Sequence, residues 1–129
     1  MARSDDCVFC EIIDGERDAT VLHESPEYLC FLDTSPVTEG HALVVPKEHI
    51  QYLEAADGSA LFAFLQEAHA KVKERYDPDA TNIGLNNGQA AGQTVPHCHW
   101  HVIPRYDGDM VDPTGGVRGV IPEKRTYGE

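Results

Sequence analysis

His97-Cys98-His99-Trp100-His101-Val102-Ile103-Pro104-Arg105 sets three imidazoles on every second residue. On an extended strand, side chains alternate between faces, so this period points the three histidines to one side and Cys98, Trp100 and Val102 to the other. A lone histidine is most often a surface or hydrogen-bonded structural residue. Three equivalent rings on one face, after the loop Gly88-Gln89-Ala90-Ala91-Gly92-Gln93-Thr94, call for a chemical reason. An imidazole with an ordinary pKa of about 6.5 is both a nucleophile and a proton carrier at neutral pH, a combination suited to phosphorus chemistry. The pattern predicts a strand from about Cys98 to Ile103, closed by Pro104.

The elements upstream follow from periodicity and turn signals. Thr20 to His23 and Tyr28 to Leu32 read as short strands joined through Ser25-Pro26-Glu27, and the second ends at Asp33. The dense apolar run His41-Ala42-Leu43-Val44-Val45 reads as a third strand stopped by Pro46, which leaves His49 just beyond a strand end. Leu61, Leu65, Ala68, Val72 and Tyr76 recur at helical spacing, predicting a long helix from about Asp57 or Ser59 to Tyr76 with one face on the sheet. Asp77-Pro78-Asp79 ends it, and Thr81 to Asn86 alternates as a strand with one polar face. The expected class is α+β, an antiparallel sheet of about five strands backed by one long helix. From about residue 106 the composition turns to Gly, Pro and Asp, giving an extension with a short apolar segment from Val117 to Ile121.

The chain has 129 residues, 41% of them apolar, enough for one domain with its own core. Twenty-two acidic against 10 basic residues give a net charge of -12, which sets a repulsive field against duplex nucleic acid. A small phosphate ester held by neutral donors is compatible with that charge. No apolar stretch of signal-peptide or bilayer-spanning length occurs, so a cytoplasmic location without membrane contact is expected. Cys7, Cys10, Cys30 and Cys98 are then expected as thiols rather than a disulfide framework. For Cys7-x-x-Cys10, redox activity, burial and metal binding all compete as explanations.

The chain closely resembles the histidine triad (HIT) superfamily of nucleotide hydrolases and transferases. The resemblance runs from Cys7 through Arg105, over Phe31-Leu32-Asp33, Pro36 to His41, Val44 to His49, Asn86-Asn87-Gly88, Gly92-Gln93-Thr94-Val95 and His97 to Arg105. Cys98 departs from it, standing where a larger apolar group is common. The resemblance implies that His99 attacks the α-phosphorus of a nucleotidyl compound to form a covalent nucleotidyl-histidine, which water then hydrolyses to a nucleoside monophosphate. It further implies that His101 contacts the phosphate and that Asn86, Gln93 and Thr94 supply donors near the phosphoryl or leaving group. Asp33 would accept the ribose hydroxyls, the alternative being that it caps the Thr34-Ser35-Pro36 turn. Phe31 and Leu32 are candidate walls of a base pocket.

Similarity to the zinc-containing, bacterial-type branch of the superfamily implies a structural zinc on Cys7, Cys10, His49 and His97, tying an N-terminal loop to the histidine strand. Four protein ligands leave no open position for activated water, so no catalytic metal is required. The resemblance implies one HIT domain over 1–129, with its C-terminal extension from about 106, and a twofold homodimer whose sheets become continuous; the Arg105-Tyr106 and Gly115 to Tyr127 region is a candidate to reach the opposite active site and tune leaving-group choice. The expected activity is hydrolysis of a purine nucleoside phosphoramidate, a dinucleoside polyphosphate or a related nucleotidyl compound. A dinucleoside polyphosphate phosphorylase, a nucleotidyltransferase and a non-catalytic zinc-stabilised nucleotide-binding module are the alternatives.

Overall fold

A computed structural model describes residues 3–127, so Met1, Ala2, Gly128 and Glu129 of the expected 1–129 domain lie outside the described residues. Five antiparallel strands form one sheet: β1 (Val21–Glu24), β2 (Tyr28–Leu32), β3 (Ala42–Pro46), β4 (Ala80–Leu85) and β5 (Trp100–Arg105). Their order is β1-β2-β3-β5-β4, so the histidine-bearing strand is inserted between β3 and β4. The long helix α2 spans Leu61–Tyr76, and a short helix, α1, spans Val8–Ile13. Among the described residues no helix is long and apolar enough to cross a membrane.

The middle strands are apolar at nearly every position because both faces of the sheet are covered. Tyr28, Cys30, Ala42, Val44, Cys98, Trp100 and Val102 pack with Phe64, Ala68 and Val72 of α2 on one face. Leu29, Phe31, Leu43 and Val45 alternate with them and pack on the other face with Cys7, Phe9 and Cys10. The even residues of β5 thus belong to the helix side and the histidines to the side of the N-terminal arm, as the period of two requires.

Several boundaries differ from the sequence reading for identifiable reasons. Where a bare N-terminal loop is expected, residues 8–13 form α1, capped by the Cys7 sulfur on the Cys10 N–H. The long helix begins at Leu61 after a 3₁₀ turn over Gly58–Ala60, for which Asp57 supplies the cap through Ser59 N–H. Its buried stripe includes Phe64, 3% exposed, which the spacing rule passed over.

The last strand starts at Trp100 rather than Cys98 and runs through Pro104 to Arg105 instead of stopping at the proline. There β3 has already ended, its last partner being Val102, and the Pro104 carbonyl accepts from the Thr38 hydroxyl instead. The missing N–H therefore faces no strand, while β4 still pairs Thr81 with Pro104. Gly40, at φ +89°, lets the chain enter β3 against Tyr76; a Cβ there would lie 2.6 Å from that ring.

Truncating Phe64 to Ala should cost about 3–5 kcal/mol, whereas Lys71→Ala on the exposed side of α2 should change stability by less than about 0.5 kcal/mol. Urea denaturation of the two variants side by side checks this.

Candidate functional site

The three triad histidines, His101 on β5 and His97 and His99 just before it, make different hydrogen bonds, and those bonds fix which nitrogen of each ring carries the proton. A carbonyl oxygen can only accept, so its partner must donate. His97 donates from Nε2 to the Pro46 carbonyl at 2.8 Å, which leaves its Nδ1 as a lone pair. That lone pair lies 3.3 Å from Cys7 Sγ, 3.7 Å from Cys10 Sγ and 3.2 Å from His49 Nδ1. Cys10 Sγ is in turn 3.3 Å from His49 Nδ1. All four donor atoms fall within 4.8 Å of one another, forming a metal-binding cluster.

Tetrahedral bonds of about 2.0–2.3 Å to nitrogen and sulfur separate ligand atoms by about 3.3–3.8 Å, close to the spacings seen. The donor set of two thiols and two imidazoles suits zinc, and the bond to Pro46 orients His97 in the way an outer partner orients a metal ligand. Burial pushes His97 down to about 4, keeping the ring neutral, and raises Cys7. A cation at the centre would favour the thiolate that burial disfavours.

His99 is 5% exposed and donates from Nδ1 to the His97 carbonyl at 2.8 Å. Its Nε2 therefore holds the lone pair. Every buried side-chain nitrogen and oxygen among the described residues has a partner, so this nitrogen, which has no hydrogen bond within the protein, reaches solvent. Phe9 meets the ring edge-on at 5.1 Å between centroids, and His101 lies at 5.0 Å.

His41 is the residue that the sequence reading left without a role. It is 3% exposed and stands at the head of β3 on the same face as Leu43, which pairs with His101. Val37 N–H donates to His41 Nδ1 at 3.0 Å, so Nε2 bears its proton and donates to His101 Nδ1 at 2.9 Å. The His101 proton is thereby forced onto Nε2. Asp33 Oδ2 lies 3.7 Å from His41 Nε2. Asp33, His41 and His101 also bring three ligand-type atoms together, but a His41 nitrogen that already carries a proton cannot ligate. The trio is a hydrogen-bond relay. Its signal in the sequence is the fourth histidine, which opens an apolar strand in the alternation that shares the triad's face.

Burial, reinforced by His99 and His41, pushes His101 down to about 4. Burial also lowers His41, although Asp33 opposes the shift. Gly84 pairs with His101 across β4 and leaves space beside the ring. A cavity of about 880 Å³ opens there, lined by His41, His101 and Asn86 among others.

The other expected site residues are distributed unevenly. Asp33 Oδ1 accepts Ser35 N–H at 2.8 Å, so the turn cap is present while Oδ2 faces His41. Gln93 commits its amide to the loop, accepting from Gly88 N–H and donating to the Gln51 and Val95 carbonyls. Thr94 is exposed. Phe31 is buried against Phe9, whereas Leu32 packs with the α2 cluster, so the two sit on opposite faces and cannot form one wall. Asn87, unassigned in the sequence reading, accepts Leu53 N–H and donates to Glu54, tying the segment after His49 to the loop before the triad.

The HIT domain family model matches residues 14–108. An adenylylsulfatase of Arabidopsis thaliana is 42% identical over 117 residues, covering 88% of this chain and 59% of that longer one. An adenosine 5'-monophosphoramidase of Schizosaccharomyces pombe is 40% identical over 100 residues, covering 77% of this chain and 74% of its own length. The crystal structure of a Zn-bound histidine triad family protein from Mycobacterium smegmatis superposes with a TM-score of 0.72 at 37% identity, covering 83% of this chain and 80% of that one.

His101 at about 4 in the fold, against about 6.5 when unfolded, means that the unfolded chain binds more protons in between. Stability is therefore complete above about pH 6.5 and falls as the pH drops toward 4. Urea midpoints measured across that window should fall on acidification, and His101→Asn should flatten part of the slope.

Proposed function

The chain belongs to the HIT domain family, and from that premise we propose that it hydrolyses a purine nucleoside phosphoramidate, dinucleoside polyphosphate or related nucleotidyl compound through a covalent nucleotidyl-His99. Nucleotide binding and enzymatic nucleotidyl transfer or hydrolysis follow from the family and its triad. The observation that carries the reading is the locked tautomer of His99, with Nδ1–H on the His97 carbonyl and Nε2 turned outward as a lone pair. A nucleophile held this way needs no deprotonation before attack.

His99 Nε2 attacks the α-phosphorus, forming the N–P bond as the bond to the leaving group breaks. His101 Nε2–H donates to a non-bridging oxygen, where negative charge is held. An anionic phosphoryl beside His101 favours the protonated ring, so the His41–His101 pair takes up one proton when substrate binds, with Asp33 supporting the charge. That proton passes to the leaving group. Water then attacks phosphorus, the N–P bond breaks, the water proton returns to His101, and the monophosphate departs. Two in-line displacements give net retention at phosphorus.

In this reading Asp33 Oδ2 accepts from the ribose, and Asn86 and Thr94 donate to the phosphoryl or leaving-group side. Gln93 acts through the loop it braces, and only one of the two expected base-pocket residues can line that pocket, since Phe31 and Leu32 face opposite sides of the sheet. Zinc on Cys7, Cys10, His49 and His97, when bound, supplies a structural tie between the start of α1 and the segment bearing His99. The unit is one HIT domain over 1–129, active as a twofold dimer; β4 ends the sheet and offers an edge that a second copy could extend.

Rapid-quench mass spectrometry with an adenosine phosphoramidate and with diadenosine tetraphosphate should show an adduct of AMP mass on the wild type. His99→Gly should lose the adduct and about three orders of magnitude or more of turnover. Binding without adduct or turnover on either substrate would point to a non-catalytic module. Product formation that requires inorganic phosphate would point to a phosphorylase. Elemental analysis should find one zinc per chain, and Cys10→Ser should lower both the zinc content and the melting temperature.

A further inference from the structure

The turn between β2 and β3 is held from outside itself. Val37, whose amide fixes the proton on His41, is 69% exposed, so no apolar burial anchors it. Its place is set by the two residues that follow. The Thr38 hydroxyl donates to the Pro104 carbonyl, and the Tyr106 hydroxyl donates to the Glu39 carbonyl at 2.7 Å. His41 N–H returns to the Thr38 carbonyl at 3.1 Å, so the anchored residue leads directly into the relay ring. Tyr106 is itself positioned, its N–H on the Asp109 carboxylate at 3.0 Å.

Pro104 follows His101 on β5, and its carbonyl meets the turn because β3 last pairs with β5 at Val102. The bonds close a circuit. It leaves β5 at Pro104, crosses the turn to Val37 N–H, passes through both nitrogens of His41 and re-enters β5 at His101 Nδ1. Burial lowers both His41 and His101, so near neutral pH each ring carries one proton and only its position can vary.

Without Val37 N–H on Nδ1, the His41 proton is free to sit on Nδ1, and Nε2 then becomes an acceptor. His101 would have to place its own proton on Nδ1 to keep the 2.9 Å bond, which turns its outer nitrogen into a lone pair. Two lone pairs, on His99 and His101, would then face the phosphoryl group. Asp33 Oδ2 opposes this inversion, but at 3.7 Å from His41 Nε2 it lies beyond hydrogen-bond reach.

We propose that the Thr38 hydroxyl is a positioning group for the reaction: docked on the Pro104 carbonyl, it keeps Val37 N–H on His41 Nδ1 and thereby keeps the outer nitrogen of His101 a donor. The inference rests on the nucleotidyl-transfer reading and adds to it a residue that touches no substrate. A donor aimed at the phosphoryl charge contributes only while its proton points outward, so kcat/KM scales with the fraction of molecules in the right tautomer.

The test uses the full chain, isotope-labelled in its histidine ring nitrogens, near neutral pH. Proton–nitrogen correlation spectra separate protonated from lone-pair ring nitrogens. Thr38→Val, close in size but without the donor, should move His41 and His101 together toward the opposite tautomer and lower kcat/KM for an adenosine phosphoramidate about tenfold. Thr38→Ser, which keeps the hydroxyl, should restore both readings. Tyr106→Phe removes the other anchor of the turn and should move the same resonances in the same direction, to a smaller extent.

A fall in kcat/KM with both tautomers unmoved overturns the proposal, since Thr38 would then act through shape or stability alone. Inverted tautomers with unchanged kcat/KM also overturn it, while an adduct on His99 keeps nucleotidyl transfer intact. If Thr38→Val does not fold, unmoved resonances in Tyr106→Phe overturn it instead. No adduct on the wild type overturns nucleotidyl transfer, and the positioning role with it.

Discussion

One residue, His97, joins the candidate metal cluster to the ring of His99. His97 gives Nε2–H to the Pro46 carbonyl, turns Nδ1 into the cluster of Cys7, Cys10 and His49, and offers its own carbonyl to His99 Nδ1–H. Fixing any one of these three fixes the other two, because the ring and the peptide group belong to the same residue. Cys7 adds a fourth constraint, serving as the cap of α1 while facing His97. The N-terminal arm, the end of β3 and the ring of His99 are thus held in register by groups less than 4 Å apart.

A second chain of bonds fixes protonation instead of position. It starts at the backbone N–H of Val37, passes through both nitrogens of His41 and ends on the outer nitrogen of His101. The outer nitrogen of His101 is thereby a donor and that of His99 a lone pair, opposite hydrogen-bonding characters for neighbouring rings of the same chemical type. Burial keeps both relay rings neutral near pH 7. In the proposed reading an acidic protein holds an anion through local dipoles whose direction is set by the backbone, not through surplus positive charge.

The alternation of His97 to Val102, the apolar run of β3 and the helical spacing before Tyr76 were enough to read the sheet, the long helix and the face carrying the triad. Those signals are legible because burial imposes periods of 2 and 3.6. His41 escaped assignment because its part depends on Val37 N–H and His101 Nδ1, partners brought together only by the β3–β5 pairing. Helix α1 escaped because its six residues carry little periodicity and its cap is a sulfur. Gln93 is a donor by type, yet its amide is committed to loop carbonyls that no spacing rule identifies. Pro104 misled because proline ends a strand only where a neighbouring strand needs its N–H, and here β3 stops short.

The segment over residues 110–125, which follows β5 and passes β4, is tied to itself by Arg125 and contributes no residue to the two buried clusters of the core. Its apolar side chains can be exchanged without opening a void beneath the triad or disturbing the metal ligands. Selection can therefore act on this segment almost independently of the chemistry, since most substitutions there carry little stability cost. The fold separates the histidine strand from a peripheral segment, so descendants of one ancestor could keep the histidines unchanged while this segment diverges.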